Sequence, residues 1–384
     1  MIYVGMLLHQ YQPPNQIHEV FERITEECYK PLFAFIRDHP LAKFTMNLNW
    51  SLTEQFLRYG HKDLLDILYG AYKNGKVEFT ASAAYHAILP LISEDEQERQ
   101  IELQLERHRE LWGDYAPKGF FPPEMAYGPE ILTKIKENKF QWLITDDIPY
   151  NCVHKESPFN YIPQVEGVGI LLRSSYWSNL ISFGKDSYGK KYSGSQMAMW
   201  MEEQLTKWFR GENGYVIIAM DSETFGHHNP GYIEPFFVPF LEYIENKSHK
   251  MRMAHLSEIF SRFPKLEREV PPGSWSTSAE DFWNGNFFPL WKNKNNQVHH
   301  LLWQLTELAL EGVDVLRDQM DRSLNSCTFW WAAVDPSKAS PITVSGIDML
   351  MDVVKIANPS KLDKAKTIKE SLDRALSQPA ANKT

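Results

Sequence analysis

The sequence predicts an α/β protein in which a parallel sheet, wrapped by helices and closed into a barrel, is followed by a helical C-terminal region. Short apolar runs alternate with helix-like patterns over the first two thirds of the chain, which is typical of successive βα units. Seven or eight such runs favour closure into a barrel over an open doubly wound sheet. After about residue 265, apolar residues recur at helical spacing instead.

The candidate strands are short apolar runs bounded by turn residues or by helix-like segments. They are residues 2–8, 43–48, 77–80, 119–121, 142–145, 169–172 and 215–220, with a weaker candidate at 251–253. Neither GxGxxG nor GxxxxGK[ST] follows any of them. The sequence therefore disfavours a dinucleotide-binding or nucleoside-triphosphate-binding fold.

Helix signals lie between these strands and beyond them. Ser51 with Glu54, and Ser93 with Glu96, have the spacing of capping boxes. Three prolines and a glycine mark the connection to the helical end of the chain: Pro264, Pro271, Pro272 and Gly273. We therefore predict a barrel domain over residues 1–265 and a helical domain over residues 266–384.

Composition excludes several classes of protein. The 384 residues carry 49 acidic and 40 basic side chains, a formal charge of -9, and no basic block that would suit a phosphate backbone, so we predict no nucleic-acid partner. The N-terminus has no basic region or cleavage site of a signal peptide, and no segment has the length of a membrane helix. Three widely spaced cysteines suit a reducing compartment. We expect a cytoplasmic protein without a membrane partner; the sequence specifies no oligomeric state.

Polar side chains, most of them ionisable, follow four of the predicted strands. They are His9 with Gln10, His86, Glu124 and Asp221, while Glu78 lies within the third strand. The carboxyl ends of parallel barrel strands meet at one rim, where active sites are found. Each residue also has a structural interpretation. The histidines could be satisfied core residues, Glu78 could face solvent, and Glu124 and Glu223 could stabilise helix N-termini. Because these side chains come from separate strands and meet at one rim, we favour a functional site there.

Two chemistries could use such a rim. A metal-dependent hydrolase needs three or four ligands, usually with one closely spaced pair, but no HxxH, HxxxH or HExxH occurs. A ligand set scattered over several strand ends, as in a metal-dependent carbohydrate deacetylase, stays open. Glycoside hydrolysis or transfer needs two facing carboxyl groups, and Glu124 and Asp221 are available for it. Aromatic side chains that could pack against sugar rings are abundant, with 12 Trp and 17 Tyr. We predict no metal and no cofactor.

Five segments, in order, resemble the motifs of glycoside hydrolase family 57. They are HQYQP (9–13), GKVEFTASAAYHAILPLI (75–92), GFFPPEMAYGPEIL (119–132), MDSETFGHH (220–228) and GSWSTSAEDFW (273–283). Members of this family act on α-glucans and on a few α-galactosides. The resemblance implies an incomplete (β/α)7 TIM-like barrel followed by a C-terminal helical bundle region that closes over the active site.

The resemblance also implies a retaining mechanism. Glu124 stands at the position of the nucleophile, and Asp221 stands at that of the general acid/base, which requires a raised pKa in the free enzyme. Burial at the end of an apolar strand and the nearby charge of Glu124 would both raise it. The matching motif positions imply substrate-binding roles for further residues: His9, Gln10, Glu78, His86, Phe121, Glu223, Phe225, His227, His228, Trp275 and Asp281.

The sequence also departs from the family pattern. Tyr11 and Gln12 lengthen the first motif, and Phe121 and His228 stand where many members have Trp. These changes bear on specificity and leave both carboxyl groups in place. We expect an α-1,4-glucan hydrolase of the α-amylase type or a 4-α-glucanotransferase. The alternatives are α-1,6-branching, which the chain length disfavours, α-galactosidase activity, the deacetylase, and a non-catalytic glucan-binding protein.

Overall fold

The computed structural model describes residues 1–155, 158–311, 315–334 and 340–377. Its strands are β1 (Ile2–Gln10), β2 (Phe44–Leu48), β3 (Val77–Thr80), β4 (Gly119–Phe120), β5 (Trp142–Asp146), β6 (Ile162–Val165), β7 (Val168–Arg173), β8 (Gly214–Asp221), β9 (Met251–Met253) and β10 (Lys265–Glu267). Each predicted strand is present.

Helices follow most of the strands and make up the C-terminal part of the chain. Those up to the end of the barrel are α1 (His18–Ile24), α2 (Lys30–Asp38), α3 (Trp50–Arg58), α4 (Lys62–Lys73), α5 (Glu94–Trp112), α6 (Leu132–Glu137), α7 (Asp147–His154), α8 (Ser175–Phe183), α9 (Gly194–Phe209), α10 (Ile233–Glu245) and α11 (Leu256–Arg262). Those that follow are α12 (Ala279–Trp283), α13 (Gln297–Leu310), α14 (Arg317–Ser323), α15 (Ser326–Val334), α16 (Pro341–Ala357) and α17 (Leu362–Leu376).

The strands form two five-stranded sheets. One has the order β3-β2-β1-β8, with β9 also paired to β1, and the other has the order β10-β6-β7-β5-β4. The pairings are parallel except for β6 with β7. The predicted fold class, parallel strands wrapped by helices and followed by a helical region, is confirmed.

The two sheets meet at two narrow seams. A parallel bridge joins Ala81, just after β3, to Phe120 of β4. At the other seam the Ser174 N–H, just after β7, donates to the Ile217 carbonyl of β8 at 2.8 Å. The ladder of hydrogen bonds is therefore interrupted at both seams, which agrees with an incomplete barrel rather than a continuous closed one.

Some local predictions were wrong. The N-cap of α3 is Asn49, whose side chain accepts from the Ser51 N–H, so Ser51 lies inside the helix. Strands β6 and β10 were not predicted: β6 contains Pro163 and is only four residues long, and β10 is only three residues long with two charged side chains. The α5 cap at Ser93 was predicted correctly.

The first turn of α11 lies against the amino ends of the barrel strands. The Leu256 N–H donates to Thr45 Oγ1 at 3.0 Å, and the Ser257 N–H donates to Glu78 Oε2 at 3.2 Å. At Gly5 a Cβ would lie 2.8 Å from the side chain of Ile259, so β1 approaches this helix closely. The helix thus closes the end of the barrel opposite the predicted rim.

The C-terminal helices have their own apolar core. To this core the barrel contributes Ala87 and Ile88 after β3, and Ala126 after β4. These three residues flank His86 and Glu124, so the loops that carry the two predicted site residues are held between two cores. The predicted domain boundary near residue 265 lies at the start of β10, which pairs with β6.

Ion pairs fasten the helical region to the barrel. Asp321 of α14 is buried and accepts from Arg99 of α5 and from Arg317. Arg317 also pairs with Glu96 of α5. A buried carboxylate with two cationic partners is expensive to separate from them, so α14 is held firmly against α5. Among the described helices none is long and apolar enough to cross a membrane.

Candidate active site

The ends of β1 and β8 lie side by side. The register pairs His9 directly with Asp221. His9 Nδ1 lies 2.7 Å from Asn47 Oδ1, and Asn47 Nδ2 donates to Thr80 Oγ1 at 3.1 Å, so the ends of β1, β2 and β3 are linked through side chains. Burial lowers the His9 pKa to about 4, so the ring is neutral. His9 therefore serves as a neutral neighbour of Asp221.

Glu124 has a strained backbone and a buried side chain. Its φ is 59° and that of Met125 is 51°, conformations that cost about 1–3 kcal/mol each and cluster at functional sites. The side chain is 10% exposed. Trp275 Nε1 donates to Oε2 at 2.9 Å, and the Trp275 N–H donates to the Glu124 carbonyl at 3.2 Å. The segment that carries Trp275 thus fixes the orientation of Glu124.

The other carboxylate oxygen of Glu124 is bound by the helical region. Ser326 Oγ, at the first residue of α15, donates to Glu124 Oε1 at 2.8 Å and also lies 2.8 Å from His86 Nδ1. The Ser326 N–H donates to the His86 carbonyl at 3.1 Å. Both oxygens of Glu124 therefore have a donor, one of them from a helix outside the barrel.

Both predicted catalytic carboxyl groups have raised pKa values. Burial, with a contribution from Asp221, raises the pKa of Glu124 to about 8, against the donors Ser326 and Trp275. Burial raises the pKa of Asp221 to about 6, and the Arg173 guanidinium opposes the rise. The predicted rise in the pKa of Asp221 is thus confirmed. The repulsion between the two like charges, however, raises the pKa of Glu124. Perturbed carboxyl groups at one rim are typical of functional sites.

Arg173, at the end of β7, is the cation of this rim. Its Nη1 donates to Asp146 Oδ2 at 2.6 Å and its Nε donates to the Ala219 carbonyl at 2.8 Å. Both members of the Arg173 and Asp146 pair are buried. The guanidinium is therefore held rigidly near Asp221, where it favours the ionised form of that carboxyl group.

Glu223 forms a second buried cluster next to Asp221. Its Oε1 accepts from Gln12 Nε2 at 2.8 Å and from the Tyr29 hydroxyl. Burial and the charge of Asp221 raise its pKa to about 8. Glu223 thus lies within the electrostatic field of Asp221, and Gln12, one of the two residues that lengthen the first motif, holds it in place.

Aromatic rings pack around His9. Phe121 stacks on it with a centroid distance of 4.6 Å, His86 at 4.9 Å and Trp275 edge-on at 5.8 Å. Tyr11 stacks on His86 at 3.9 Å. The structure therefore packs His86, Phe121 and Trp275 around His9, and Trp275 also contacts Glu124.

For three predicted substrate-binding residues the structure shows other partners: two lie away from the rim, and the third caps a helix. Glu78 accepts from Thr45 Oγ1 at 3.0 Å and from the start of α11, at the amino end of the barrel. Phe225 is fully buried and packs on Phe237 at 4.3 Å. Asp281 is occupied as half of the capping box of α12 with Ser278. Membership of a motif did not reveal which way these side chains point.

Two further predicted residues lie at the surface beside the rim, and one lies beneath it. His227 Nδ1 donates to Glu27 Oε2 at 2.5 Å, and His228 is exposed, with its N–H bound to the Glu223 carbonyl at 2.8 Å. Gln10 is buried and its Nε2 donates to Ser222 Oγ at 2.7 Å. His228 alone of these three presents an exposed ring.

The turn after β8 depends on a glycine. Gly226 has a φ of 112°, and a Cβ there would lie 2.0 Å from the Glu27 carbonyl oxygen. We expect Gly226→Ala to lower the free energy of unfolding in denaturant by about 1–3 kcal/mol more than Gly231→Ala. Gly231 is the matched control because its φ is also positive, at 69°, but no atom lies within 4 Å of the added Cβ. Equal losses in the two variants would contradict the steric argument.

Several residues of the site carried no signal in the sequence. Ser326 comes from a helical segment with no motif, and Arg173 and Asp146 lie at strand ends without any special spacing. Tyr11 and Gln12 were visible only as a lengthened loop. Within the described ranges no group of three or more His, Cys, Asp or Glu side chains could hold a metal ion.

The family model described as glycosyl hydrolase family 57 matches residues 3–271. Alpha-amylase 1 of Dictyoglomus thermophilum is 28% identical over 163 residues, which are 42% of this chain and 23% of the amylase. A 4-alpha-glucanotransferase of Thermococcus litoralis is 26% identical over 140 residues, 36% of this chain and 21% of that protein. The matches thus span less than a quarter of these relatives.

Solved structures share the fold. The 4-alpha-glucanotransferase structure from Thermococcus litoralis superposes with a TM-score of 0.72 at 18% identity, over 92% of this chain and 59% of that one. A branching enzyme of the same family from Pyrococcus horikoshii gives 0.66 at 14% identity, over 100% and 98% of the two chains. An alpha-amylase from Thermotoga maritima gives 0.64 at 14% identity, over 99% of each.

Proposed function

The chain belongs to glycosyl hydrolase family 57, and we propose that it is a retaining enzyme that cleaves or transfers α-1,4-glucans such as amylose and maltooligosaccharides. The observation that carries this proposal is the pair of predicted carboxyl groups at one rim. Glu124 is buried and has a donor on each oxygen, whereas Asp221 keeps some exposure at the end of β8. One is held as an oriented nucleophile, and the other is accessible to exchange a proton with a sugar oxygen and with water.

In the first step, Glu124 attacks the anomeric carbon while Asp221 gives its proton to the departing glycosidic oxygen. The bond between the anomeric carbon and that oxygen breaks, and a glycosyl ester on Glu124 forms. In the second step, Asp221 removes a proton from water or from a glucan hydroxyl, which attacks the anomeric carbon and releases Glu124. Two inversions at this carbon give net retention.

The aromatic residues around His9 supply the apolar surface against which a sugar ring can pack. Phe121 is fully buried, so it acts by holding His9, whereas Trp275 is only half-buried and is available for contact. His228 is the exposed ring at the edge of the rim, and we propose that it contacts glucan units outside the cleavage position. The expected location in the cytoplasm is part of this proposal.

Incubation with maltoheptaose tests the proposal. We expect products whose lengths, separated by chromatography, are both shorter and longer than the substrate if glucan acts as acceptor, and only shorter if water does. Proton NMR during the first turnovers should show the new reducing ends as the α-anomer. First-formed β-anomer would contradict retention, and an unchanged substrate would contradict the activity.

Branching is the second candidate. The superposition covers 98% of a branching enzyme of the family, so the argument from chain length loses its force. Amylose is the substrate that separates the two, because branching creates α-1,6 linkages, visible by NMR, without releasing short chains. Metal analysis of the protein, with a chelator test on an acetylated saccharide, tests the deacetylase alternative, for which the described residues offer no ligand cluster.

A further inference from the structure

The hydroxyl of Ser326 lies between two partners. It is 2.8 Å from Glu124 Oε1 and 2.8 Å from His86 Nδ1. Ser326 is buried, and so is His86. A hydroxyl has one proton to donate, so only one of these two hydrogen bonds can use it. The direction of the chain of hydrogen bonds is therefore set by the position of the proton on His86.

That position follows from the other ring nitrogen. His86 Nε2 is buried and has no hydrogen-bond partner among the described residues. An N–H placed there would be a buried donor without an acceptor, which is costlier and rarer than a buried acceptor without a donor. Burial also lowers the pKa of His86 well below its usual value, so the ring is neutral and carries a single proton. The proton therefore lies on Nδ1, which donates to Ser326 Oγ.

We propose that Ser326 is a positioning residue which, because His86 donates to it, keeps its own proton for Glu124 and so orients that carboxyl group and favours its ionised form. The inference rests on the proposed role of Glu124 as nucleophile. It assigns to the C-terminal helical region a part in the chemistry: α15 delivers the donor, and the apolar contacts of Ala87 and Ala126 keep both partners in reach. Helix α15 must therefore be packed against the barrel for Ser326 to reach Glu124.

Other groups also face this chain of hydrogen bonds. Around His86 and Glu124 they are His9, Tyr11, Asp221, Trp275 and Cys327. Asp221 raises the pKa of Glu124, and Trp275 lowers it from the other oxygen. Ser326 is thus one of two donors that oppose burial and like charge, and its loss should be visible in the ionisation of Glu124.

The test compares Ser326→Ala, Ser326→Thr and Ser323→Ala. Ser323 is the matched control, since it is a buried serine of the adjoining helix whose hydroxyl donates to the Gln319 carbonyl. In Ser326→Ala we expect the basic limb of kcat/KM against pH, where Glu124 loses its proton, to move up by about one unit, a tenfold change in the ionisation constant. The loss in kcat/KM should be largest at low pH and should shrink at high pH. Ser326→Thr should restore the limb, and Ser323→Ala should not move it.

Nitrogen-15 NMR of the free protein supplies a readout that needs no substrate. With His86 assigned from a His86→Gln sample, we expect the wild-type ring to carry its proton on Nδ1, since Ser326 Oγ at 2.8 Å and Glu124 Oε1 at 3.5 Å both lie beside that nitrogen. A wild-type proton on Nε2, or a Ser326→Ala profile that runs parallel to the wild type at every pH, overturns the inference. Failure of the proposed function is distinguishable, because it would appear as full activity in Glu124→Gln.

Discussion

Glu124→Gln is expected to abolish the turnover of maltooligosaccharides, with a loss of roughly four to six orders of magnitude in kcat/KM, as for other residues that form the covalent bond. The amide has the shape of the carboxylate but is a poor nucleophile. The amide also fits the site poorly, because both oxygens of Glu124 accept hydrogen bonds in the wild-type protein. One of the donors, Ser326 or Trp275, must then face an NH2 group.

The measurement is product release from maltoheptaose over a pH range, with the unfolding temperature recorded alongside. Glu130→Gln is the matched control, since it removes an exposed carboxylate six residues further along the same loop. In Glu124→Ala, azide should occupy the space of the side chain and give a glycosyl azide of inverted configuration. Wild-type turnover by Glu124→Gln would end the proposal that this residue is the nucleophile.

The sequence predicted the fold through its strands, because buried parallel strands are short apolar runs that stand out between helix-like segments. It predicted the rim for the same reason. His9, Glu124 and Asp221 each follow such a run, and parallel strands bring their carboxyl ends together. The position of a residue in the chain relative to a strand was therefore enough to place it at the correct end of the barrel.

Side-chain direction was much harder to predict. Glu78 lies in a correctly predicted strand, but near its beginning, so its carboxylate reaches α11 at the opposite end of the barrel. Phe225 follows Asp221 by only four residues, and yet it lies in the apolar core at the end of the 3-10 turn Ser222–Thr224. A short turn of this kind changes the direction of the chain in a way that no periodicity in the sequence records.

Contacts between distant parts of the chain could not be predicted at all. Ser326 reaches Glu124 across 202 positions, and it does so because the helical region packs on the loops after β3 and β4. Gln12 reaches Glu223 across 211 positions. In the sequence, Gln12 was visible only as one of two residues that lengthen the first motif. In the structure, the side chain of Gln12 donates a hydrogen bond to Glu223, the buried acid beside Asp221.

Asp221→Asn is expected to lower kcat/KM for maltooligosaccharides on the order of 10²- to 10⁴-fold, the range for loss of a general acid. The loss should depend on the leaving group. A glycosyl fluoride needs no proton at its departing atom, so its first step should be nearly as fast in the variant as in the wild type. The glycosyl-enzyme should then accumulate, because no base activates water, and azide should speed its release.

The pH dependence gives the second part of this prediction. The reactive form has Asp221 protonated and Glu124 ionised, whereas burial raises the pKa of Asp221 only to about 6 and that of Glu124 to about 8. The free protein thus keeps its proton mainly on Glu124, and the reactive form is a minor one. The limbs of the wild-type kcat/KM profile belong to the pair, so activity should peak between pH 6 and 8 and fall on both sides.

In Asp221→Asn one charge disappears from this cluster. The pKa values of Glu124 and Glu223 are both raised by Asp221, so both should fall in the variant, and the acidic limb measured with the glycosyl fluoride should move to lower pH. The basic limb should vanish, because without Asp221 no group has to keep a proton for the first step. Since a buried like charge is removed, the unfolding temperature should not drop. An intact basic limb in this variant would show that another group is the acid.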